Sequence, residues 1–208
     1  MSSSPGQMEY IAHLSRDKKL KKIIDLQGEI KLIKRKNIHL DLCSSIMSQQ
    51  LSTKVAAVIH KRFLQLYYGK PSPKQILDTS FDKLRGIGLS NAKTSYVQNV
   101  SRFAIEQGLE YHKLRKLTNE EVIEYLTQIK GVGRWTAEML LMFTLAREDV
   151  FAVDDLGIQQ AMIKLYQLNF PDRKKLKEKL LSISQQWSPY RTYACLHLWN
   201  WKDVYPKK

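Results

Sequence analysis

The 208-residue sequence contains only two cysteines, Cys43 and Cys195, which are far apart in apolar segments of helical character. Neither belongs to a Cys-x-x-Cys pair, a scarcity that argues against a disulfide framework, a structural zinc site and a four-cysteine iron–sulfur cluster. No apolar run approaches the ~18–20 residues of a membrane-spanning helix, and the first residues lack the pattern of a signal peptide. We therefore expect no membrane partner and a cytoplasmic location, in the bacterial cytosol or nucleoid, or in the nucleus if the source is eukaryotic.

Acidic residues are also in short supply. There are 20 Asp and Glu against 34 Lys and Arg, which gives a formal charge of +14 and an isoelectric point near 9.7. Such a surface attracts polyanions, of which nucleic acid is the commonest. The lysine-rich segments 16–36 and 172–183 also fit the solvated faces of ordinary helices. The charge balance therefore favours a nucleic-acid partner without identifying the residues that contact it.

Alternating strand patterns are almost absent, and only residues 149–153 have a β-like composition. Helix-start signals, in contrast, recur along the chain. Ser72 precedes Pro73, and Thr118 and Glu121 have the spacing of a capping box. With short connections and no low-complexity linker, the sequence predicts an all-α fold.

Two of the few glycine pairs stand directly before predicted helices, in "LRGIGLSNAK" (84–93) and "IKGVGRWTAE" (129–138). In the simpler interpretation, Gly131 ends the preceding helix in a left-handed conformation. In the functional interpretation, which is compatible with the first, a bare backbone leads into a helix N-terminus that binds a phosphate. The candidate phosphate-binding residues are Gly131, Val132, Gly133, Arg134 and Thr136. Gly86, Gly88, Ser90 and Lys93 are expected to form a second turn that presents its backbone.

Two adjacent acids, Asp154 and Asp155, end an apolar segment and precede another predicted helix. One of them is expected to cap that helix, but a cap needs only one acid. Because an anion repels a polyanionic partner, binding alone does not explain the pair. A fixed carboxylate that stabilises a developing cation, or acts as a base on water, does explain it.

These motifs together resemble the helix-hairpin-helix DNA glycosylases of base excision repair. The resemblance rests on "IKGVGRWTAEMLLMF" and "DVFAVDDLGIQQA" with "IMSQQLSTKVAAVI" (46–59), and it covers roughly residues 38–205. "GLSNAKTSYV" and "WSPYRTYACLHLW" are similar to the alkylpurine branch, the 3-methyladenine DNA glycosylase II family. The resemblance implies a two-lobed helical fold with a DNA-binding cleft between lobes. We expect one lobe at residues 38–115. The hairpin and catalytic lobe is expected at residues 116–205, together with an N-terminal helix at 8–36.

The resemblance also implies roles for individual residues. Asp155 becomes the catalytic carboxylate, and Asp154 a neighbour that lines the pocket or caps the helix. Gln50 or Leu51 becomes the wedge that enters the base stack when a nucleotide is extruded. The predicted pocket consists of Trp135, Asp154, Met139, Trp187 and Tyr190, with Trp199 as a further candidate wall, although core packing explains Trp187, Tyr190 and Trp199 equally well.

Trp135 stands where bifunctional relatives carry a lysine that forms a Schiff base, so the resemblance implies no lyase step. Its indole face would attract a cationic alkylated purine. No cofactor and no iron–sulfur cluster are expected. The family's hairpin often binds a monovalent cation, and here main-chain carbonyls of Thr127, Ile129 and Val132 would hold Na⁺ or K⁺.

The sequence thus predicts a monomeric, monofunctional glycosylase that acts on double-stranded DNA containing alkylated purines. One alternative is a helix-hairpin-helix module that binds DNA without catalysis, against which Asp155 and Gln50 argue. A second is a glycosylase for uracil, oxidised guanine or mismatched adenine. Trp135 and the missing cluster cysteines argue against that substrate range, and the sequence does not rank individual alkylated bases.

Overall fold

A computed structural model of the chain describes residues 5–204, which form thirteen α-helices and no β-strand. The helices are α1 (Pro5–Leu14), α2 (Lys18–Gln27), α3 (Ile38–Ser48), α4 (Thr53–Gln65), α5 (Pro73–Asp78), α6 (Phe81–Gly86), α7 (Asn91–Glu106), α8 (Tyr111–Leu114), α9 (Asn119–Thr127), α10 (Arg134–Phe143), α11 (Leu156–Tyr166), α12 (Arg173–Gln185) and α13 (Arg191–Val204). The predicted all-α class is confirmed. The β-like residues 149–153 form an irregular, largely buried segment instead of a strand.

The predicted helix-start signals act as caps. The Ser72 and Thr118 side chains each accept a hydrogen bond from the third backbone N–H of the helix, and Gln75 and Glu121 complete the two capping boxes. The Ser90 hydroxyl caps α7 in the same way through the backbone N–H of Lys93. These local bonds explain why the helix starts could be read from the sequence.

The described residues divide into two compact units. The central unit comprises residues 34–145, and the terminal unit comprises residues 5–33 together with 146–204. This division differs from the predicted boundary near residue 115, because α10 packs against α3 as well as α9 and so belongs to the central unit. The predicted N-terminal helix 8–36 is in fact two helices, since Asp17 caps the start of α2 and Gly28, with φ 71°, ends it.

The core of the central unit is built around α3 and α7. Leu42, Ile46, Val97 and Val100 are fully buried where these two helices pack together. Leu126 of α9 and the apolar face of α10 are buried in the same unit. Helices α7, α9 and α10, which flank the two glycine turns, are therefore held by a continuous apolar core.

In the terminal unit, α13 packs against α2 and α11. The Asp17 carboxylate, almost buried, links several elements of this unit through Oδ2. It accepts hydrogen bonds from the Tyr166 hydroxyl at the end of α11 and from the Trp187 indole. Burial, together with the bond to Asp17, raises the pKa of Tyr166, so that this hydroxyl stays a donor.

Within the part of the chain that the structure describes, no helix combines the length and the apolar character needed to cross a membrane.

Candidate active site

The hairpin between α9 and α10 depends on Gly131. The backbone N–H of Val132 donates to the carbonyl of Ile129 at 2.9 Å, which closes a turn whose third residue, Gly131, has φ 107°. A Cβ at Gly131 would lie 2.2 Å from Cγ of Tyr96 on α7. Only glycine satisfies both the turn and this close approach. The sequence-based expectation that Gly131 caps the preceding helix is wrong, because α9 ends earlier, at Thr127.

Helix α10 begins without a side-chain cap. Its N-cap is Gly133, in an extended conformation with φ −94°, and a Cβ there would meet nothing within 4 Å. The first amides of a helix have no intrahelical acceptor, and the helix dipole favours an anion near them. The open space before α10 therefore leaves room for an anion such as a phosphate oxygen.

The remaining residues of the predicted phosphate site have other partners. The Arg134 guanidinium binds the Glu120 carboxylate through two bonds and donates to Glu138 at 3.1 Å. The bond to Arg134 lowers the pKa of Glu120, so this pair is charged. Thr136 is buried and its hydroxyl accepts from Gln49, and the backbone N–H of Val132 is used within the turn. Thr136 can reach an external phosphate only through its backbone amide.

The second glycine turn is not an equivalent of the first. Gly88 has φ 109°, and a Cβ there would lie 3.4 Å from Ile59 of α4, while Gly86 is the last residue of α6. The helix that follows, α7, has its own cap in Ser90. Lys93 points its ammonium at the carbonyls of Met47 and Gln49, at 3.0 and 2.6 Å. The structure thus gives this turn a packing role. Burial of the Lys93 ammonium lowers its pKa from the usual value.

Residues 49–52, which we call the wedge loop, connect α3 to α4. Gln50 is exposed with φ 57°, a left-handed conformation that is uncommon for a residue other than glycine. Leu51 beside it is 37% exposed. Both predicted wedge candidates are therefore on the surface, and the structure does not choose between them.

The predicted pocket residues differ in exposure. Trp135, the second residue of α10, is 38% exposed and so has a face that a ligand can reach, whereas Met139 one turn later is buried. Trp187 is 0% exposed, with its indole N–H bonded to Asp17 and its ring edge-to-face with Phe151. The prediction that Trp187 lines the pocket is wrong, because this ring fills the core of the terminal unit.

Tyr190 lies close to α1. Its hydroxyl is 3.4 Å from the Glu9 carboxylate, and its ring packs edge-on against His13 and Tyr193. Burial, with the nearby charge of Glu9, raises the pKa of Tyr190. These contacts account for the side chain without a ligand.

Asp155 is the N-cap of α11 and is partly buried. Its Oδ1 accepts two hydrogen bonds of 2.8 Å, one from the backbone N–H of Ile158 and one from the indole Nε1 of Trp199. Trp199 is on α13, so a second helix fixes the orientation of the carboxylate. A Cβ at Gly157 would lie 3.0 Å from Asp155 Oδ1 and 3.2 Å from Trp199 Nε1, and glycine therefore leaves room for this bond.

The segment that leads to Asp155 is anchored along α13. At its start, Asp149 binds the Arg191 guanidinium through two bonds, of 2.5 and 2.9 Å. The hydrogen bonds to Arg191 hold the pKa of Asp149 below its usual value although burial opposes them. The backbone N–H of Val150 donates to the Thr192 hydroxyl at 3.0 Å. An irregular segment thereby becomes a fixed support for the acid.

Asp154 is exposed and forms an ion pair with Lys177 of α12, with Nζ–O distances of 2.8 and 2.9 Å. The two neighbouring acids are thus separated in role. The structure assigns the cap to Asp155, so the prediction that Asp154 caps the helix is wrong. At the surface, the positive charge of Lys177 offsets the negative charge of Asp154.

The carbonyls predicted to bind a cation belong to the hairpin itself. Main-chain carbonyls are neutral oxygen donors of the kind that coordinate Na⁺ and K⁺. The Ile129 carbonyl accepts the turn hydrogen bond and retains a second lone pair, so the donor set is chemically suitable. Among the described residues, no group of three or more His, Cys, Asp or Glu side chains has the arrangement of a metal site.

Comparison with known proteins defines the class of protein. Residues 43–186 match the model of the HhH-GPD superfamily of base excision DNA repair proteins, which spans more than half of the chain. The chain is also 36% identical over 211 residues to DNA-3-methyladenine glycosylase 1 of Schizosaccharomyces pombe, covering 94% of this chain and 91% of that protein. The chain belongs to the HhH-GPD superfamily, and the resemblance that the sequence motifs indicated is confirmed.

Solved structures give the same result. The S. pombe 3-methyladenine DNA glycosylase in complex with abasic DNA has a TM-score of 0.85 and 34% identity, over 96% of this chain and 100% of that one. A DNA-3-methyladenine glycosidase from Bacillus halodurans has a TM-score of 0.81 and 37% identity, over 97% and 91%. A putative DNA-3-methyladenine glycosylase of Bacillus subtilis is 32% identical, but the match covers only 55% of its length.

Sequence reasoning gave no role to Tyr96, Gly157 or Gln49. It considered Trp199 only as a candidate wall of the pocket. Tyr96 makes glycine obligatory at position 131, Gly157 admits the indole of Trp199, and Gln49 donates to the Gly131 carbonyl at 3.4 Å. The only local signal was a glycine in the first turn of α11, where glycine is a poor helix former. The other contacts join residues more than 30 positions apart.

Proposed function

We propose that this protein is a monofunctional DNA glycosylase that releases alkylated purines from double-stranded DNA in base excision repair. One observation carries the proposal: the Asp155 carboxylate is fixed at the N-terminus of α11 by Ile158 and Trp199. The relatives' names, DNA-3-methyladenine glycosylase, support this substrate class, as does a relative's complex with abasic DNA, the product of such a reaction.

In the proposed reaction, the bond between C1′ of the sugar and the purine nitrogen breaks, and the bonding electrons leave with the base. The sugar becomes an oxocarbenium-like cation, which the negative charge of Asp155 stabilises. A water oxygen then bonds to C1′ and loses a proton, which leaves an abasic site. An alkylated base that is already cationic departs as a neutral molecule, so no strong general acid is required.

Other side chains contribute binding. We propose that the backbone amide of Gly133 and the first backbone amides of α10 bind a backbone phosphate of DNA. Na⁺ or K⁺ would be held by the hairpin carbonyls. Phosphate contacts make affinity fall as salt rises. The exposed face of Trp135 stacks on the extruded base, and the wedge loop fills the gap in the stack. Trp135 supplies no amine for a Schiff base, so we propose that the enzyme has no lyase activity, and that it acts as a monomer.

The test is release of free bases from DNA treated with a methylating agent, measured by chromatography for the wild type and Asp155→Asn. Asparagine caps a helix as well as aspartate, so the variant keeps its fold. The wild type should free 3-methyladenine and 7-methylguanine, and the variant should bind DNA normally but act roughly 10²- to 10³-fold more slowly.

Duplexes with uracil, 8-oxoguanine or ethenoadenine test the substrate range, and borohydride trapping tests for a Schiff base. If both proteins bind DNA and neither frees any base from these substrates, the chain is a DNA-binding module and the proposed enzyme is wrong.

A further inference from the structure

We propose that Lys93 is a positioning residue for the wedge loop, and that it does so from within the protein without contacting DNA phosphate. The ammonium donates to the carbonyls of Met47 and Gln49, at 3.0 and 2.6 Å, where α3 ends and the loop begins. This inference rests on the proposed function, because it concerns the extrusion of a base.

The end of α3 shows why a lysine is needed there. The last carbonyls of a helix have no intrahelical donors. Here the Ile46 carbonyl accepts from the backbone N–H of Gln49, and the Ser48 carbonyl accepts from that of Leu51. The two carbonyls that alternate with them are those that Lys93 binds. One ammonium therefore supplies donors to the Met47 and Gln49 carbonyls at this helix end, where a positive charge also complements the dipole.

Lys93 itself is on a rigid base. It lies in the first turn of α7, which Ser90 caps and which packs against α3. The next residue along, Thr94, is fully buried. Lys93 therefore reaches the two carbonyls from a helix turn whose backbone is held in place.

The loop that Lys93 holds has two features of a working surface. Gln50 is exposed with φ 57°, a left-handed conformation that is unfavourable for a residue other than glycine. On the other side, the Gln49 amide donates to the Gly131 carbonyl and to the Thr136 hydroxyl, both at 3.4 Å. The wedge loop is therefore tied to α7 by Lys93 and to the phosphate-binding hairpin by Gln49, all within the central unit.

This arrangement has a consequence for base extrusion. A wedge must enter the stack at a fixed distance from the phosphate that the hairpin binds. The two tethers set that distance before DNA arrives, so the loop does not lose entropy on binding. Lys93→Met removes both bonds with little change in side-chain length, and water can then satisfy the carbonyls while the loop becomes free to move.

The experiment compares wedge insertion with salt-dependent binding. A duplex carries a tetrahydrofuran abasic site opposite 2-aminopurine, whose fluorescence reports entry of the wedge and needs no catalysis. Single-turnover release of 3-methyladenine is measured from duplex and from single-stranded DNA, since a wedge has no stack to enter in a single strand. The variants are Lys93→Met, Lys93→Arg, Gln50→Ala and the double variant Lys93→Met/Gln50→Ala, with Lys74→Met on α5 as the matched charge control.

For Lys93→Met we expect the fluorescence change and the rate of base release from duplex DNA to fall about tenfold, because a wedge loop held out of position slows the reaction. The ratio of duplex to single-strand rates should fall with them. Lys93→Arg should recover at least half of the signal, because arginine can donate to both carbonyls. The double variant should be no worse than the poorer single variant, since both changes disable one device.

Two results overturn the proposal. If the slope of log affinity against log salt drops by about one and undamaged DNA binds equally weakly, Lys93 is a phosphate contact. If Lys93→Met slows duplex and single-stranded substrates alike, while the fluorescence change persists, its role is only to stabilise the fold. Failure of the wild type to free any base would instead contradict the proposed function, and the fluorescence assay would still decide the role of Lys93.

Discussion

Helices α10 and α11 begin in opposite ways. Helix α10, in the central unit, starts at Gly133 with no side-chain cap and with open space before it. Helix α11, in the terminal unit, starts at Asp155, whose carboxylate caps it and is also bound by Trp199. The first amides of α10 thus meet no capping side chain, whereas in α11 the amide of Ile158 binds an internal carboxylate.

The difference matches the two roles that we propose for these helix starts. An uncapped N-terminus loses some stability, because a glycine cap satisfies no amide, and in our proposal a phosphate takes the place of the cap. A capped N-terminus gains stability and fixes a carboxylate in one orientation, which electrostatic catalysis needs. Four substitutions test this contrast, in order of expected effect.

The largest effect should come from Gly131→Ala, which breaks the turn that presents α10. The new Cβ would lie 2.2 Å from Tyr96 Cγ at a φ of 107°. We expect a loss of about 3 kcal/mol or more in the free energy of unfolding, measured with urea. Gly133→Ala is the control, because its Cβ meets nothing within 4 Å, and it should cost only the usual penalty of alanine at an N-cap, about 1 kcal/mol. Equal effects of the two changes would contradict our account of the turn.

Gly133→Asp turns the start of α10 into a copy of the start of α11. The acid should cap the helix and raise stability by up to about 1 kcal/mol. The same charge should repel a phosphate, and we expect DNA affinity to fall roughly 10- to 100-fold, measured by fluorescence anisotropy at several salt concentrations.

Gly133→Asn separates the two effects, because asparagine caps without charge. Its affinity should lie between those of the wild type and Gly133→Asp. Unchanged DNA affinity in Gly133→Asp would show that the phosphate binds elsewhere.

Trp199→Phe sharpens the contrast at α11, since it removes the indole N–H that Asp155 accepts but keeps an aromatic ring. A hydrogen bond to a charged group contributes about 1.5–3 kcal/mol, and we expect single-turnover base release to slow about tenfold or somewhat more. Trp201→Phe, whose ring contacts the Lys164 ammonium at 5.2 Å, is the control and should change the rate less than about twofold. Full activity of Trp199→Phe would mean that Ile158 alone positions the acid.

The smallest expected effect separates the role of Asp155 as the cap of α11 from its proposed role in catalysis. Asp155→Ala removes the cap, whereas Asp155→Asn keeps an acceptor for Ile158. We expect Asp155→Ala to be less stable than Asp155→Asn by about 1 kcal/mol in thermal or urea unfolding, although both lose catalysis. Equal stabilities would show that the hydrogen bond to Ile158 does not hold the helix end.

Much of this could be predicted from the sequence because it depends on neighbours along the chain. Ser72, Ser90 and Thr118 each bond to a backbone amide three residues on, and such bonds need no tertiary partner. Gly133, which starts α10 without a capping side chain, and the capping acid before α11 are also local patterns that a few consecutive residues reveal. The choice of Asp155 followed from the family resemblance, and its catalytic role stays a prediction.

Other features could not be predicted because they concern side chains whose partners are distant in sequence. Trp187 resembled a pocket wall because an aromatic ring gives no local sign of its environment, and its partner Asp17 is 170 residues away. The sequence placed Lys93 only in a turn that presents its backbone, and its two acceptors, which lie more than 40 positions earlier, could not be predicted from it. The cleft between lobes, the wedge and the cation site also stay predictions.

The sequence by itself determined the helical class, the helix starts and the membership of a DNA repair superfamily, because period, caps and motifs are properties of short segments. Only the tertiary structure decided which polar groups meet. It brought Trp199 to Asp155 and Tyr96 to Gly131, and it turned Lys93 toward the end of α3. The physical reason is that a hydrogen bond or a close contact requires a few ångströms in space, and such proximity arises only when the helices pack.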